Sequence, residues 1–427
     1  MRRFRTRIAT DYLVVRFSHR IESPGPISRI VEFHRQPAAK ENVLDGETLD
    51  KLRIGVIGAG GRGGLANNWR DNERAVVVAG ADVYEAQLAD FKSRMGDGVF
   101  TTLDYRELLD RPDVDAVFVS SPDFVHEEQA IAALQAGKHI YLEKPMAITI
   151  ESCDRIIKTQ KETGTKLMIG FNMRCMNMFR TMKEILDSGA IGEIKAVWVR
   201  HFVNYGGWAY YHDWHGVRKN STGLLLQKAS HDIDMIHWLT GQYTKRVAAF
   251  GGLDFYGGDK SNDLHCPDCD EKNTCTEASL QTLTQCAFRK EIDVEDNNMM
   301  IMMLENGIKA AYMQCHFTPE AYRNYVFIGT EGTMENSEPE SKVWVRTRRS
   351  NKWKELADRT YQVKSVVGGH GGGDSLITEE FLDYVLDGKA PVATPIDGRM
   401  SVAAGYCATE SLRNDGMPVD VPKLASP

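Results

Sequence analysis

The chain has 427 residues, 42% hydrophobic and 26% charged, with a formal net charge of −7. That length fits two or three domains, and the composition excludes a chain too polar to build a core. The acidic balance speaks against a nucleic-acid binder, no apolar run approaches the roughly 20 residues that span a bilayer, and eight cysteines in so long a chain do not make a disulfide scaffold.

Residues 1–50 carry Arg2, Arg3, Arg5, Arg7 and Arg16 without the sustained apolar segment of a secretory or twin-arginine signal. They read as a flexible extension outside the fold; a start site placed too early and an Arg-rich transit peptide are the other readings. The folded part then divides into an α/β Rossmann domain over 51–172 and an α+β domain over 173–427. The second is expected to hold an open, mainly antiparallel sheet.

The first strand, around Ile54, Val56 and Ile57, runs into Gly58, Gly60 and Gly63 in G-x-G-x-x-G spacing, with Gly61 and Arg62 between them. Such glycines permit a tight turn, close backbone approach to a pyrophosphate and close helix packing. The next strand, "AVVVAGAD", ends on Asp82, about twenty residues on, as the dinucleotide fingerprint requires. A carboxylate there accepts from a ribose 2′-OH and repels a 2′-phosphate, which favours NAD over NADP; the plainer reading is a strand-end turn residue. Further apolar strands, "DAVFVSS" and "HIYLEK", alternate with helical stretches, the signature of parallel βαβ units. Ligands bind beyond the carboxyl ends of such strands. Ser120, Ser121, Pro122 and His126 follow one end, and Glu143, Lys144 and Pro145 follow another.

The glycine turn, "SSPDFVH" and above all Glu143-Lys144-Pro145 resemble the Gfo/Idh/MocA family of NAD(P)-dependent sugar and cyclitol oxidoreductases, over about residues 52–420. His231 and Asp234 match the family's H-x-x-D, although Gln227 and Ala229 stand where its usual Asp and Gly would be. The stretch from Lys228 reads K-x-x-H-D-x-D, and "VGGHGGGD" (367–374) fits the same subgroup. The resemblance implies a catalytic role for Lys144 beside the reacting oxygen, and cleft positions for Asn172 and Arg174. A histidine near neutral pKa suits a general base, which nominates His231. Asp234, three residues on, would orient it or grip a sugar hydroxyl. Lys228, His370 and Arg174 are further substrate candidates. A metal face of His231, Asp234 and His237 is the competing reading.

"FVNYGGWAYYHDWHG" (202–216) is rich in aromatic residues, as a carbohydrate site or an ordinary packed loop would be. Near 260–290 a Cys-rich insertion holds Cys266, Cys269, Cys275 and Cys286, in spacing that suits a structural zinc; disulfides or free thiols are the alternatives. Then come strand-like runs and two closing helices. Together these imply a cytoplasmic NAD-dependent oxidoreductase acting on a sugar, glycoside or cyclitol, as a homodimer or homotetramer through its open sheet. A glycosidase that retains its NAD and a non-catalytic dinucleotide sensor are the competing functions.

Overall fold

The computed structural model describes residues 51–279, 284–348, 357–364, 366 and 368–424; the N-terminal extension lies outside them. Two sheets organise the chain. The first holds β1 (Leu52–Ile57), β2 (Ala75–Ala81), β3 (Phe100–Thr102), β4 (Ala116–Val119), β5 (His139–Leu142) and β6 (Leu167–Ile169). All pairs are parallel, in the order β3-β2-β1-β4-β5-β6. That is the doubly wound arrangement, and its order reverses between β1 and β4. β4 is buried along its whole length, as a strand covered by helices on both faces must be.

The second sheet has nine strands: β7 (Ile194–Phe202), β8 (Thr244–Gly252), β9 (Asn297–Leu304), β10 (Lys309–Cys315), β11 (Tyr322–Gly329), β12 (Gly332–Ser337), β13 (Lys342–Thr347), β14 (Arg359–Gln362) and β15 (Val419–Asp420). Their order is β14-β13-β12-β11-β7-β10-β9-β8-β15. Only β7 and β10 run parallel; the other pairs are antiparallel. The period of two is plain in β9, where Met300, Met302 and Leu304 point into the core while Met299, Ile301 and Met303 are exposed. β3, β7, β14 and β15 are the strands that the apolar pattern did not reveal: β3, β14 and β15 have four residues or fewer, and β7 carries a charged residue on each face.

Two C-terminal helices bind the sheets together. Ile377, Phe381 and Leu382 of Gly373–Leu386 pack with Trp69 and Tyr141 against the first sheet. Helix Pro395–Leu412, capped by Thr394 and Asp397, gives Met400 and Ala404 to the second core and Val402 to the first. Among the described residues, no helix is long and apolar enough to cross a membrane.

Candidate active site

The glycine turn after β1 is sterically obligatory. Gly58 has φ +88°, and a Cβ there would lie 2.6 Å from the Ser121 nitrogen; one at Gly63 would lie 2.1 Å from the Gly58 carbonyl oxygen. This cradle, at the carboxyl end of β1, fits a dinucleotide's pyrophosphate. The segment that follows is a 3₁₀ stretch, Gly61–Ala66, before a short helical turn. Ser120 closes the turn by donating to the Gly58 carbonyl at 2.9 Å, and Ser121 donates to Gln129. Asp82 accepts from the Gly60 N–H at 3.1 Å and the Tyr84 N–H at 3.0 Å, so it braces the turn while standing at the end of β2.

Arg62 leaves the turn and joins a charge network. It donates to Glu143 at 2.7 Å and, through both terminal nitrogens, to Asp374 at 3.1 and 2.8 Å. Asp374 also accepts from Asn172 at 2.7 Å and faces His370 Nδ1 at 2.9 Å. Burial works against its charge, but the His370 and Arg62 hydrogen bonds outweigh it and hold Asp374 well below the usual carboxylate range. Asp374 lies 312 residues from Arg62, and its signal in the sequence is its place at the end of the "VGGHGGGD" block, four residues after His370.

Lys144 follows β5, and its peptide bond to Pro145 is cis. Its ammonium donates to the Gln227 carbonyl at 3.2 Å. Enclosure lowers its pKa, and nearby Lys228 and Arg62 add to the effect. Asp123, which follows β4, is buried beside Lys144 and Gln227, and burial raises its pKa. Lys228 rests over the rings of Tyr205 and Tyr210, each 5.4 Å away, and donates to the Tyr205 hydroxyl at 3.3 Å. Enclosure, with Arg323 second, pushes it down to about 7.

His231 is buried on helix Ser230–Thr240, with Nδ1 unpartnered among the described residues. Burial first, then Lys144, Arg323 and Lys228, keep the ring neutral by lowering its pKa well below the ordinary value. The His370 ring lies 6.4 Å away, so the glycine-rich loop after the second sheet reaches this point. Asp232 anchors the helix to the second sheet. It pairs with Arg323 at 3.0 Å and accepts from Tyr312 at 3.1 Å and from Tyr325.

Three expected roles do not match these contacts. Asp234 does not orient His231: it forms a bidentate ion pair with Arg174 at 2.6 and 2.9 Å. Residues three apart on a helix are offset by about 60°, enough to turn Asp234 to a different neighbour. Arg174 is correspondingly not open to substrate, being buried against Asp234, Asp397 and the Val392 carbonyl. His126 is enclosed between the Pro145 and Ser121 carbonyls at 2.8 and 2.9 Å, where it holds the two strand-end turns together.

Cys266, Cys269, Cys275 and Cys286 line one cavity of about 20 Å³ beside His212, and all are free thiols. Among the described residues no group of three or more His, Cys, Asp and Glu side chains stands positioned to hold a metal, which also leaves the His231, Asp234 and His237 face without support.

Residues 52–171 match the model described as "Oxidoreductase family, NAD-binding Rossmann fold", and residues 183–421 match "Oxidoreductase family, C-terminal alpha/beta domain". The YteT protein of Bacillus subtilis (strain 168), whose name assigns it provisionally to the oxidoreductases, is 27% identical over 64% of this chain and 72% of its own length. The myo-inositol 2-dehydrogenase of Thermotoga maritima is 33% identical over 47% of this chain; the match spans only 59% of that relative. A solved levoglucosan dehydrogenase in complex with NADH and levoglucosan shares the fold at TM-score 0.72 and 20% identity, covering 88% of this chain and all of that one.

Proposed function

Because the chain belongs to the Gfo/Idh/MocA family of oxidoreductases, we propose that it transfers a hydride between NAD and a secondary alcohol or ketone of a sugar, glycoside or cyclitol. One observation carries this reading: Lys144, Lys228 and neutral His231 gather beyond the carboxyl ends of β4 and β5, beside the glycine cradle. Alcohol oxidation needs a proton acceptor at the oxygen and a hydride acceptor at the carbon, and bound NAD supplies the latter. Gly58, Gly60, Gly63 and Asp82 would hold it, with Arg62 and Glu143 further along the cleft. Lys144 neutralises the developing alkoxide, and the lowered pKa of Lys228 lets it take up a proton near neutrality. Neutral His231 can accept a hydrogen bond from a substrate hydroxyl on the same side, but burial and the neighbouring cations hold its pKa too low for the general-base role expected from the sequence.

The Asp82 carboxylate favours NAD over NADP through its charge at the 2′ position. The exposed row of Trp198, Phe250, Met299 and Ile301 on the second sheet favours covering by a second copy of the chain. Only the spacing of Cys266, Cys269, Cys275 and Cys286 in the sequence supports a structural zinc. Metal analysis of the purified protein, with no stoichiometric zinc found, removes that last element.

The central test incubates purified protein with NAD or NADP and a panel of sugars, glycosides and cyclitols, following nicotinamide absorbance and product identity. Net NADH formation supports the dehydrogenase. Substrate cleavage without net NADH replaces it with the NAD-retaining glycosidase. No turnover of either kind overturns the reading.

A further inference from the structure

A row of aromatic and imidazole rings leads from the surface to the lysines. Phe124, 42% exposed beside Asp123, meets Trp214 edge-on at 5.7 Å. Trp214 stacks on His215 at 3.6 Å, with 22° between the planes. His215 meets Tyr210 edge-on at 5.4 Å, and Tyr210 meets His316 edge-on at 5.2 Å. Lys228 sits over Tyr210, so the inner end of the row lies at the site described above.

Several polar atoms in this wall lack partners. Both ring nitrogens of His316 and the Gln227 side-chain oxygen are buried without a hydrogen bond among the described residues, and His215 Nδ1 has only the Asp213 carboxylate at 3.8 Å. His316 is completely enclosed. Buried polar atoms are ordinarily paired, because each unpaired one costs about 1–3 kcal/mol. The rings of Phe124 and Trp214, which keep exposed area, suit the apolar C–H face of a sugar ring.

The row is also buttressed. It rises from a π-helical turn, Gly207–Tyr211, a rare conformation frequent at functional sites. The Cys-rich insertion braces that turn. Arg289, fully buried, donates to the Tyr211 and Asp213 carbonyls at 2.6 and 3.1 Å. His212 is held by the Gln285 and Glu277 carbonyls at 2.5 and 2.6 Å, and Tyr256 stacks on Tyr211 at 4.1 Å. An ordinary surface loop needs no such scaffold.

We propose that Phe124, Trp214, His215 and Tyr210 form a second carbohydrate subsite, so that the substrate is a glycoside with its outer ring on Trp214 and its reacting ring between Lys144 and Lys228. The inference rests on the hydride-transfer reading for the inner ring, and on the aromatic row alone for the outer one.

The test compares a free sugar with its disaccharide or aryl glycoside, using the full chain and NAD. The glycoside is expected to have a KM about tenfold or more below that of the free sugar. Trp214→Ala should remove most of that difference, and the peripheral Phe124→Ala a smaller part of it. Equal KM values in the unaltered protein, or a Trp214→Ala change that shifts both substrates alike, overturn the subsite. A binding readout separates this inference from the catalytic one. Saturation-transfer NMR of the glycoside on NADH-loaded protein should mark outer-ring protons strongly, and weakly marked outer-ring protons overturn the proposal. Strong marking without turnover leaves the subsite standing while the hydride-transfer reading falls.

Discussion

The two sides of the cleft differ in how their polar groups are satisfied. On the proposed cofactor side, Arg62, Glu143, Asn172, His370 and Asp374 pair with one another at hydrogen-bond distance, and the Asn172 side-chain oxygen alone of this group is buried without a partner among the described residues. On the proposed substrate side, Lys228 has one phenol hydroxyl and two ring faces, while His231 and His316 hold nitrogens without a hydrogen bond among the described residues. Paired charges make a rigid, preorganised frame, whereas unpaired groups in an enclosed space hold shifted pKa values and await a ligand. Under the proposed reading, the paired groups form the frame and the under-paired groups stand where the reacting atoms would lie.

The substitution with the largest expected effect tests the unsatisfied side directly. Lys144→Met should lower kcat about 10²–10⁴-fold while circular dichroism and thermal unfolding stay near those of the parent. A kcat within threefold of the parent would remove Lys144 from the chemistry. The reverse pattern is expected where pairing is complete. Asp234→Ala leaves Arg174 buried without its main partner and should cost about 3–5 kcal/mol in a denaturant titration. If stability is unchanged and only turnover falls, Asp234 belongs to the catalytic group after all.

A pH profile sharpens the contrast. The folded-state pKa of Lys228 is lowered to about 7, so its amine becomes a neutral acceptor as pH rises through that value. The oxidation kcat/KM should therefore climb on the alkaline side of pH 7, and Lys228→Met should abolish or displace that limb. An unaltered profile in the variant assigns the limb to another group. The smallest effect is expected at Asp82, whose hydrogen bonds brace the glycine turn but whose charge would select the cofactor. Asp82→Ser should shift the NAD-to-NADP ratio of kcat/KM toward NADP by about tenfold. An unchanged ratio would confine Asp82 to the turn.

What could be read from the sequence was local. Gly58, Gly60 and Gly63 announce the cradle because the turn tolerates no Cβ at Gly58 and Gly63. Lys144 stands out because a charge ends an apolar strand. The alternation of short apolar strands with helices specifies parallel crossovers, and the period of two in β9 specifies a sheet with one open face. These signals lie within a few residues, where backbone geometry alone relates one side chain to the next.

The tertiary structure decided what depends on long separations. Nothing in the spacing joins Arg62 to Asp374, sets Arg174 on Asp234, or brings β7 beside β10 in parallel. The row from Phe124 to His316 is drawn from three distant segments, so its rings meet only once both sheets have packed. Whether His231 faces a partner or an open cleft is likewise a matter of packing. A histidine's neighbours, and hence its protonation, are set by what the folded chain places around it, and periodicity along one helix cannot specify them.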